Sequence, residues 1–247
     1  MIETRIEGYI GHITLNRPEA HNALSKAAMG EMVNALSDWQ ESSIRAIVIS
    51  GTGRSFCAGA SLEELGDGSW EDNPLTVLCD TVESFKAPVI AALNGGVFGG
   101  GVELALACDF RIGVQGMKMF VPPARLGIHY EAAGIGRAVQ RLGAQMARRV
   151  FLLAERFEDD TLLAAGFLDD LVAPGALAAR AGAMAEEISA LAPLAVQGMK
   201  RSILEISRGA LDEAAAKARV KACFASDDHA EGLAAMREKR PPLFTGT

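Results

Sequence analysis

The spacing of apolar residues changes period several times along the chain. In "TRIEGYIGHITLN", β-branched residues recur at alternate positions, which predicts two short strands turning near Gly8 or Gly11. After "RPEAHNALS", Leu24, Ala28, Met32, Leu36 and Trp39 step by fours and a three, the spacing of one helix face. "RAIVISG" is a compact apolar run ended by glycine, as in a strand buried on both faces. "APVIAALNG" and "FRIGVQG" repeat that signal, with helix-forming "GVELALAC" between them. A polar, poorly periodic stretch from Gly66 to Pro74 is expected to be a loop. Alternation of strand and helix over roughly the first two thirds predicts an α/β layered core.

From Ala144 the pattern becomes helical. Leu177, Ala181, Met184, Ile188 and Leu191 form one stripe, and Met199, Ile203 and Ile206 form another. The segment from Ala210 to Lys239 is charged and expected to be helical throughout. The division this suggests is a core over 1–190 and a helical C-terminal region over 191–247 that packs on the core or on another subunit.

Composition narrows the partners. The 247 residues are 49% hydrophobic, enough for a sizeable core, and carry a formal charge of -7. That balance argues against nucleic acid or an anionic membrane as the main partner, while leaving room for a local basic patch. "VIAALNGGVFGGGVELALAC" is the nearest thing to a membrane span, but it is broken by glycines and carries Glu103. The first residues, "MIETRIEGYI", lack the basic-then-apolar layout of a signal peptide. Cys57, Cys79, Cys108 and Cys223 form no CxxC and no metal-ligand spacing, so free thiols in a reducing cytoplasm are expected, with no metal site.

The candidate chemistry sits in "NGGVFGGGVELALACD", where five glycines fall within seven residues. A dinucleotide fingerprint fails in register, because Leu104 stands where its third glycine belongs; "GTGRSF" fails likewise at Phe56. No Gly-Lys-Ser/Thr completes a P-loop. Two explanations remain: close packing of a helix on a strand, or an anion site at a helix N-terminus. If the helix begins near Gly99, Gly100 offers a free N–H and Glu103 lies on the same face three residues on. An amide donor beside a carboxylate suits a carbonyl oxygen that becomes negative while a proton moves nearby; the plainer role for Glu103 is to complement the helix dipole. "SFCAGASLEEL" again exposes backbone through small residues, and Ser61 lacks the GxSxG setting of a hydrolase nucleophile. His12, His21, His129 and His229 supply no evident triad partner.

"ITLNRPEAHNALS", "SFCAGASLEEL", "APVIAALNGGVFGGGVELALACDFRI", "LAAGFLDDLV" and "SDDHAEGLAAMREKRPPLF" occur in order over nearly the whole chain. Together they resemble the crotonase, or enoyl-CoA hydratase/isomerase, superfamily. The resemblance implies an α/β fold with a repeated ββα spiral core and a helical C-terminal trimerisation region, assembled as a homotrimer or a hexamer. It implies an acyl-CoA thioester as substrate, with coenzyme A part of that substrate and no separate cofactor. It implies that the N–H groups of Ala60 and Gly100 hold the thioester oxygen as it becomes an enolate. Contacts to coenzyme A are implied at Ala20, His21 and Asn22, along Ala58, Gly59, Ala60, Ser61 and Leu62, and at Lys239 and Phe244 in the tail, with Arg17 a weaker candidate.

One departure bears on mechanism. Hydratases of this superfamily use two glutamates. The first matches Glu103, but Pro123 stands at the second position in "MFVPPARLGIHYEAAG". Glu131 falls where the dienoyl-CoA isomerases carry an acid. Tyr130 falls where the methylmalonyl-CoA decarboxylases carry a tyrosine, and "LGIHYEAAGIGR" is similar to that branch. Plainer roles are an acid at a helix start for Glu131 and a packing aromatic for Tyr130. Three functions follow as expectations: an enoyl-CoA hydratase/isomerase with Glu103 as acid/base, a malonyl-CoA-type decarboxylase, or a non-catalytic acyl-CoA-binding protein.

Overall fold

The structure, a computed structural model, describes residues 1–61 and 73–247. Leu62 and most of the expected loop from Gly66 to Pro74 lie outside the described residues. The strands are β1 (Ile2–Glu7), β2 (Ile10–Leu15), β3 (Ala46–Gly51), β4 (Ser55–Cys57), β5 (Val89–Leu93), β6 (Gly96–Phe98), β7 (Phe110–Val114), β8 (Lys118–Phe120), β9 (Arg156–Glu158) and β10 (Asp170–Val172). The described α-helices are numbered α1 (Lys26–Trp39), α2 (Pro74–Ser84), α3 (Gly100–Ala107), α4 (Ala132–Phe151), α5 (Asp159–Ala164), α6 (Leu177–Ser189), α7 (Pro193–Ser207), α8 (Glu213–Phe224) and α9 (Asp227–Glu238).

Two sheets share the core. The larger has the order β1-β2-β3-β5-β7-β10 and is parallel except where β1 runs against β2. The smaller has the order β4-β6-β8-β9 and is parallel except where β9 runs against β8. Successive pairs β3–β4, β5–β6 and β7–β8 therefore divide alike, the first strand joining the larger sheet and the second the smaller. The helix that follows β6 is α3 and the one that follows β8 is α4, which gives the repeated ββα spiral. β3 and β5 read as unbroken apolar runs because neighbours cover both faces; α6 packs across β3, β5 and β7. Trp39 closes α1 onto β2, where a Cβ on Gly11 would meet its ring at 2.8 Å.

The early helix begins as its sequence suggests. Ser25 caps α1 by accepting a hydrogen bond from the Ala28 N–H at 3.2 Å, and Ala28, Met29, Met32, Leu36 and Trp39 are its buried face. Leu24 precedes that helix, and Leu191 likewise falls just past the end of α6. The segment from Ala210 to Lys239 is not one helix. Asp212 caps α8 through the Ala215 N–H, and Ser226 caps α9 through the His229 N–H, so the chain breaks at Ala225. The even spread of charge hid these two capping residues.

The stripe of Met199, Ile203 and Ile206 is present on α7 but points away from the core, with Ile203 61% exposed. With apolar residues of α8 and α9, and with Pro242 and Phe244, it lines an open trough of about 930 Å³. Among the described residues, no helix is long and apolar enough to cross a membrane. All four cysteines are unpaired, and Cys57, Cys79 and Cys108 are buried.

Candidate active site

Parallel pairing in the smaller sheet brings three chain ends together. Ser55 and Cys57 of β4 stand beside Gly96 and Val97 of β6, and Phe98 of β6 stands beside Phe120 of β8. The strands run the same way, so Ala58–Ser61, Gly99–Gly100 and Val121–Pro123 leave the sheet from one edge. The carboxyl edge of parallel strands is where open α/β folds place ligands.

A further segment decides which amide faces inward. His21 accepts a hydrogen bond from the Ala58 N–H at 3.0 Å. Leu24 donates to the Gly59 carbonyl at 2.8 Å and accepts from the Ser61 N–H at 2.9 Å, a parallel bridge opposite Ala60. In such a bridge Leu24 serves both neighbours of Ala60, and the N–H of Ala60 itself turns the other way. It turns toward the start of α3, whose first N–H, on Gly100, has no helical acceptor. A Cβ on Gly59 would lie 2.7 Å from the Gly100 nitrogen, and one on Gly100 would lie 3.4 Å from the Ala60 nitrogen.

The glycines of the cluster serve different local ends. Gly95 and Gly101 serve packing: a Cβ would meet the Arg54 carbonyl oxygen at 2.1 Å in the first case and the Cys57 carbonyl oxygen at 2.6 Å in the second. Gly99 serves the turn into α3, with φ 50° and ψ −124°, a conformation that side chains disfavour. Gly100 leaves backbone at the helix start, where a Cβ would meet Leu75 at 2.6 Å.

Glu103 is 3% exposed in the first turn of α3. Its Oε1 accepts from Arg137 Nη1 at 2.8 Å, and the Tyr130 side chain lies beside its carboxylate. Gly134 makes this arrangement possible, since a Cβ there would lie 2.4 Å from the Tyr130 ring and 2.6 Å from Glu103 Oε2. The Tyr130 ring rests on Phe151 with centroids 5.0 Å apart. Burial pushes the Glu103 pKa up, while the Arg137 charge and the Tyr130 hydroxyl oppose that shift. Burial, then the Glu103 charge, holds the Tyr130 phenol well above its usual value, so it is a protonated donor at neutral pH. A small cavity of about 10 Å³ lies against Glu103 and Tyr130, lined otherwise by apolar side chains such as Val121, Leu142 and Phe151.

The remaining expected residues are placed as follows. Glu131 is exposed at the N-cap of α4 and its side chain caps nothing, so it is Tyr130 that meets Glu103. Pro123 begins a short 3-10 turn, Pro123–Leu126. Asn22 is buried and rivets the turn from Arg17, accepting from the Arg17 N–H and donating to the Thr52 and Ser55 carbonyls. This supports His21 and Asn22 at φ 51° and 56° and keeps Ala20–Asn22 alongside Ala58–Ser61. Lys239 caps α9, while Phe244 packs near Gly232 and its carbonyl accepts from Arg45, so the tail is anchored away from the Ala58–Ser61 segment. Among the described residues, no three His, Cys, Asp or Glu side chains stand together as a metal site would need.

Sequence reading missed Arg137. Its signal was present: Arg137 and Arg141 are four apart in a helix that packs on the core, and Asp80 and Glu83 are three apart in another. Charges at helical spacing on core-facing surfaces require partners.

The family model described as enoyl-CoA hydratase/isomerase matches residues 5–247. A protein of Mycobacterium bovis named as a probable enoyl-CoA hydratase is 36% identical over 238 residues, 95% of each chain. The 2,3-dehydroadipyl-CoA hydratase of Escherichia coli is 32% identical over 244 residues, covering 95% of this chain and 94% of its own. A crystal structure titled as an enoyl-CoA hydratase/carnithine racemase from Magnetospirillum magneticum superimposes with a TM-score of 0.92 at 29% identity, over 100% of this chain and 96% of that one. A fold of ββα repeats, a full-length family match and relatives at these identities lead to one assignment: the chain belongs to the enoyl-CoA hydratase/isomerase family and is an enzyme of that type.

Proposed function

We propose that the protein processes an acyl-CoA thioester through an enolate whose oxygen is held by the Ala60 and Gly100 N–H groups, with Glu103 and Tyr130 moving the protons. The carrying observation is the approach of those two amides, from separate loops, at the start of the helix that bears Glu103. Donors fixed before reaction lower the cost of developing negative charge, and one such donor contributes about 2.7–4 kcal/mol where it has been measured.

In hydration, the carboxylate of Glu103 takes a proton as the water oxygen bonds to the β-carbon. The displaced π electrons reach the thioester oxygen, where the two amides receive them. Tyr130 hands its hydroxyl proton to the α-carbon and is reprotonated from Glu103, so one water is added in all. The closeness of Tyr130 and Glu103 about Gly134 supports this exchange, and Tyr130 supplies the partner that Pro123 cannot. Coenzyme A enters as part of the substrate, and the scheme calls on no resident cofactor. The backbone of Ala20–Asn22 and Ala58–Ser61 is assigned to its pantetheine end. Lys239 and Phe244 are assigned to its nucleotide end across a subunit boundary, which fits a homotrimer or a hexamer joined through the apolar trough. Three buried free thiols fit a cytoplasmic setting.

A second reading, decarboxylation of a malonyl-CoA-type ester, is favoured by Tyr130. It requires the same amides, a hydroxyl to orient the departing carboxylate, and no second acid. Turnover in deuterated water separates the two. Enoyl-, dienoyl- and malonyl-CoA esters would be followed by mass with wild type, Glu103→Gln and Tyr130→Phe. Glu103→Gln is expected to lose at least about 100-fold in hydration, within the usual range for a positioned acid or base. Unchanged hydration in that variant removes Glu103 from the mechanism. CO2 release without water addition selects the second reading.

A further inference from the structure

Arg137 sits in the first turns of α4 and is itself buried. Its guanidinium is used on three sides: Nη1 donates to Glu103 at 2.8 Å, Nε to Glu83 at 3.3 Å, and Nη2 to Asp80 at 2.7 Å. Glu83 and Asp80 both come from α2, so one side chain joins the helix bearing the acid to two others. Glu83 is in turn held by Arg141 at 3.5 Å and by Arg208, at the C-terminal end of α7, at 2.5 Å. Three carboxylates and three guanidiniums thus form one cluster, and of the three arginines it is Arg137 that bonds Glu103.

Charge balance alone does not explain this arrangement. Arg137 has partners enough in Asp80 and Glu83 without reaching α3. The planar fork fixes direction as well as charge, and two of its edges are anchored on α2 before the third meets Glu103. With Oε1 taken by Arg137, the orientation of the carboxyl group is fixed and Oε2 is left beside Gly134 and Tyr130.

We infer that Arg137 is a positioning residue for catalysis: anchored on α2, it fixes the orientation of the Glu103 carboxyl group and sets its charge against that group in the buried site. The inference rests on the proposed role of Glu103 as the acid/base. The groups facing Glu103 are Arg137 and Tyr130, with Asp80 and Cys79 nearby; those facing Arg137 are Cys79, Asp80, Glu83 and Glu103. Burial raises the Glu103 pKa and the Arg137 charge works against it, so withdrawing that charge raises it further. A reaction that needs the carboxylate then loses its acid limb at a higher pH.

The test is the pH profile of kcat/KM for wild type, Arg137→Lys, Arg137→Gln, Arg141→Met and Arg208→Met. It is paired with a 13C-carboxylate NMR titration in which the Glu103 signal is identified by its loss in Glu103→Gln. Arg137→Gln is expected to move the acid limb and the Glu103 titration upward by about one unit or more. Arg137→Lys keeps the charge and loses the fork, so it is expected to lower kcat about tenfold or more with KM little changed while the limb moves less. Arg141→Met and Arg208→Met are expected to lower the melting temperature without moving the limb. If Arg137→Gln fails to fold, the Lys variant decides. An unchanged kcat and titration in that variant overturns the inference, as does an equal limb shift in the Arg141 or Arg208 variant. Should Glu103→Gln leave turnover intact, the underlying role of Glu103 fails instead. The NMR titration still reports whether Arg137 governs that carboxyl group.

Discussion

Every residue of α3 is buried, whereas α7 buries only Leu204 and Glu205 and turns Met199, Ile203 and Ile206 outward. Both helices are rich in small and apolar residues, so composition does not separate them. Their neighbours do. α3 is enclosed by α2, α4 and the smaller sheet of the same chain, and its first turn packs on the Cys57 backbone. α7 has α8 on one side and the open trough on another. A continuous exposed apolar surface of that kind marks a place for association. The half around α3 is enclosed by its own chain, while the C-terminal half leaves an apolar face open.

The same glycine substitution breaks this contrast most sharply. Gly95→Ala places a Cβ 2.1 Å from the Arg54 carbonyl oxygen, against backbone that leads directly into β4. A loss of about 3 kcal/mol or more is expected in urea unfolding, or failure to fold. A charge in the trough should have the next largest effect. Ile203→Glu is expected to shift the protein toward monomer in light scattering while leaving the far-UV CD spectrum unchanged; an unaltered mass would remove the trough as an interface. In α7, Gly198→Ala meets Arg219 only at 3.7 Å, an ordinary contact, so it is expected to stabilise by about 0.5–1 kcal/mol.

The smallest effect concerns pH. The carboxyl of Glu103 has a raised pKa when folded, so the folded state holds its proton more tightly than the unfolded chain does. Its contribution is present below the unfolded value of 4.5 and is lost as pH rises through the folded one. Glu103→Gln should therefore gain stability relative to wild type with rising pH across that window. A constant difference between the two would mean that the group is not shifted.

Much of the fold was legible because its signals are local. The buried strands announce themselves as apolar runs, and Ala28 to Trp39 keep helical spacing after the capping serine at position 25. The approach of Ala60 and Gly100 was legible only through family resemblance, because it depends on the register of β4 against β6, and register is a relation between distant segments. The Tyr130–Glu103–Arg137 contact lies further out of reach. It requires Gly134 to vacate the space between two side chains, and no periodicity reports what a missing Cβ admits. The break at Ala225 was missed for the opposite reason, since a local cap was masked by uniform charge.

The division of the ββα repeats between two sheets has a further consequence. The Ala60 donor leaves the first repeat, Gly100 and Glu103 belong to the second, and Tyr130 and Arg137 follow the third. Under the proposed mechanism, exchanging the segment between β8 and α4 would change which group delivers a proton while leaving the Ala60 and Gly100 amides in place. On that mechanism, reaction type and oxyanion binding are separately adjustable, and Pro123 bears on the former alone.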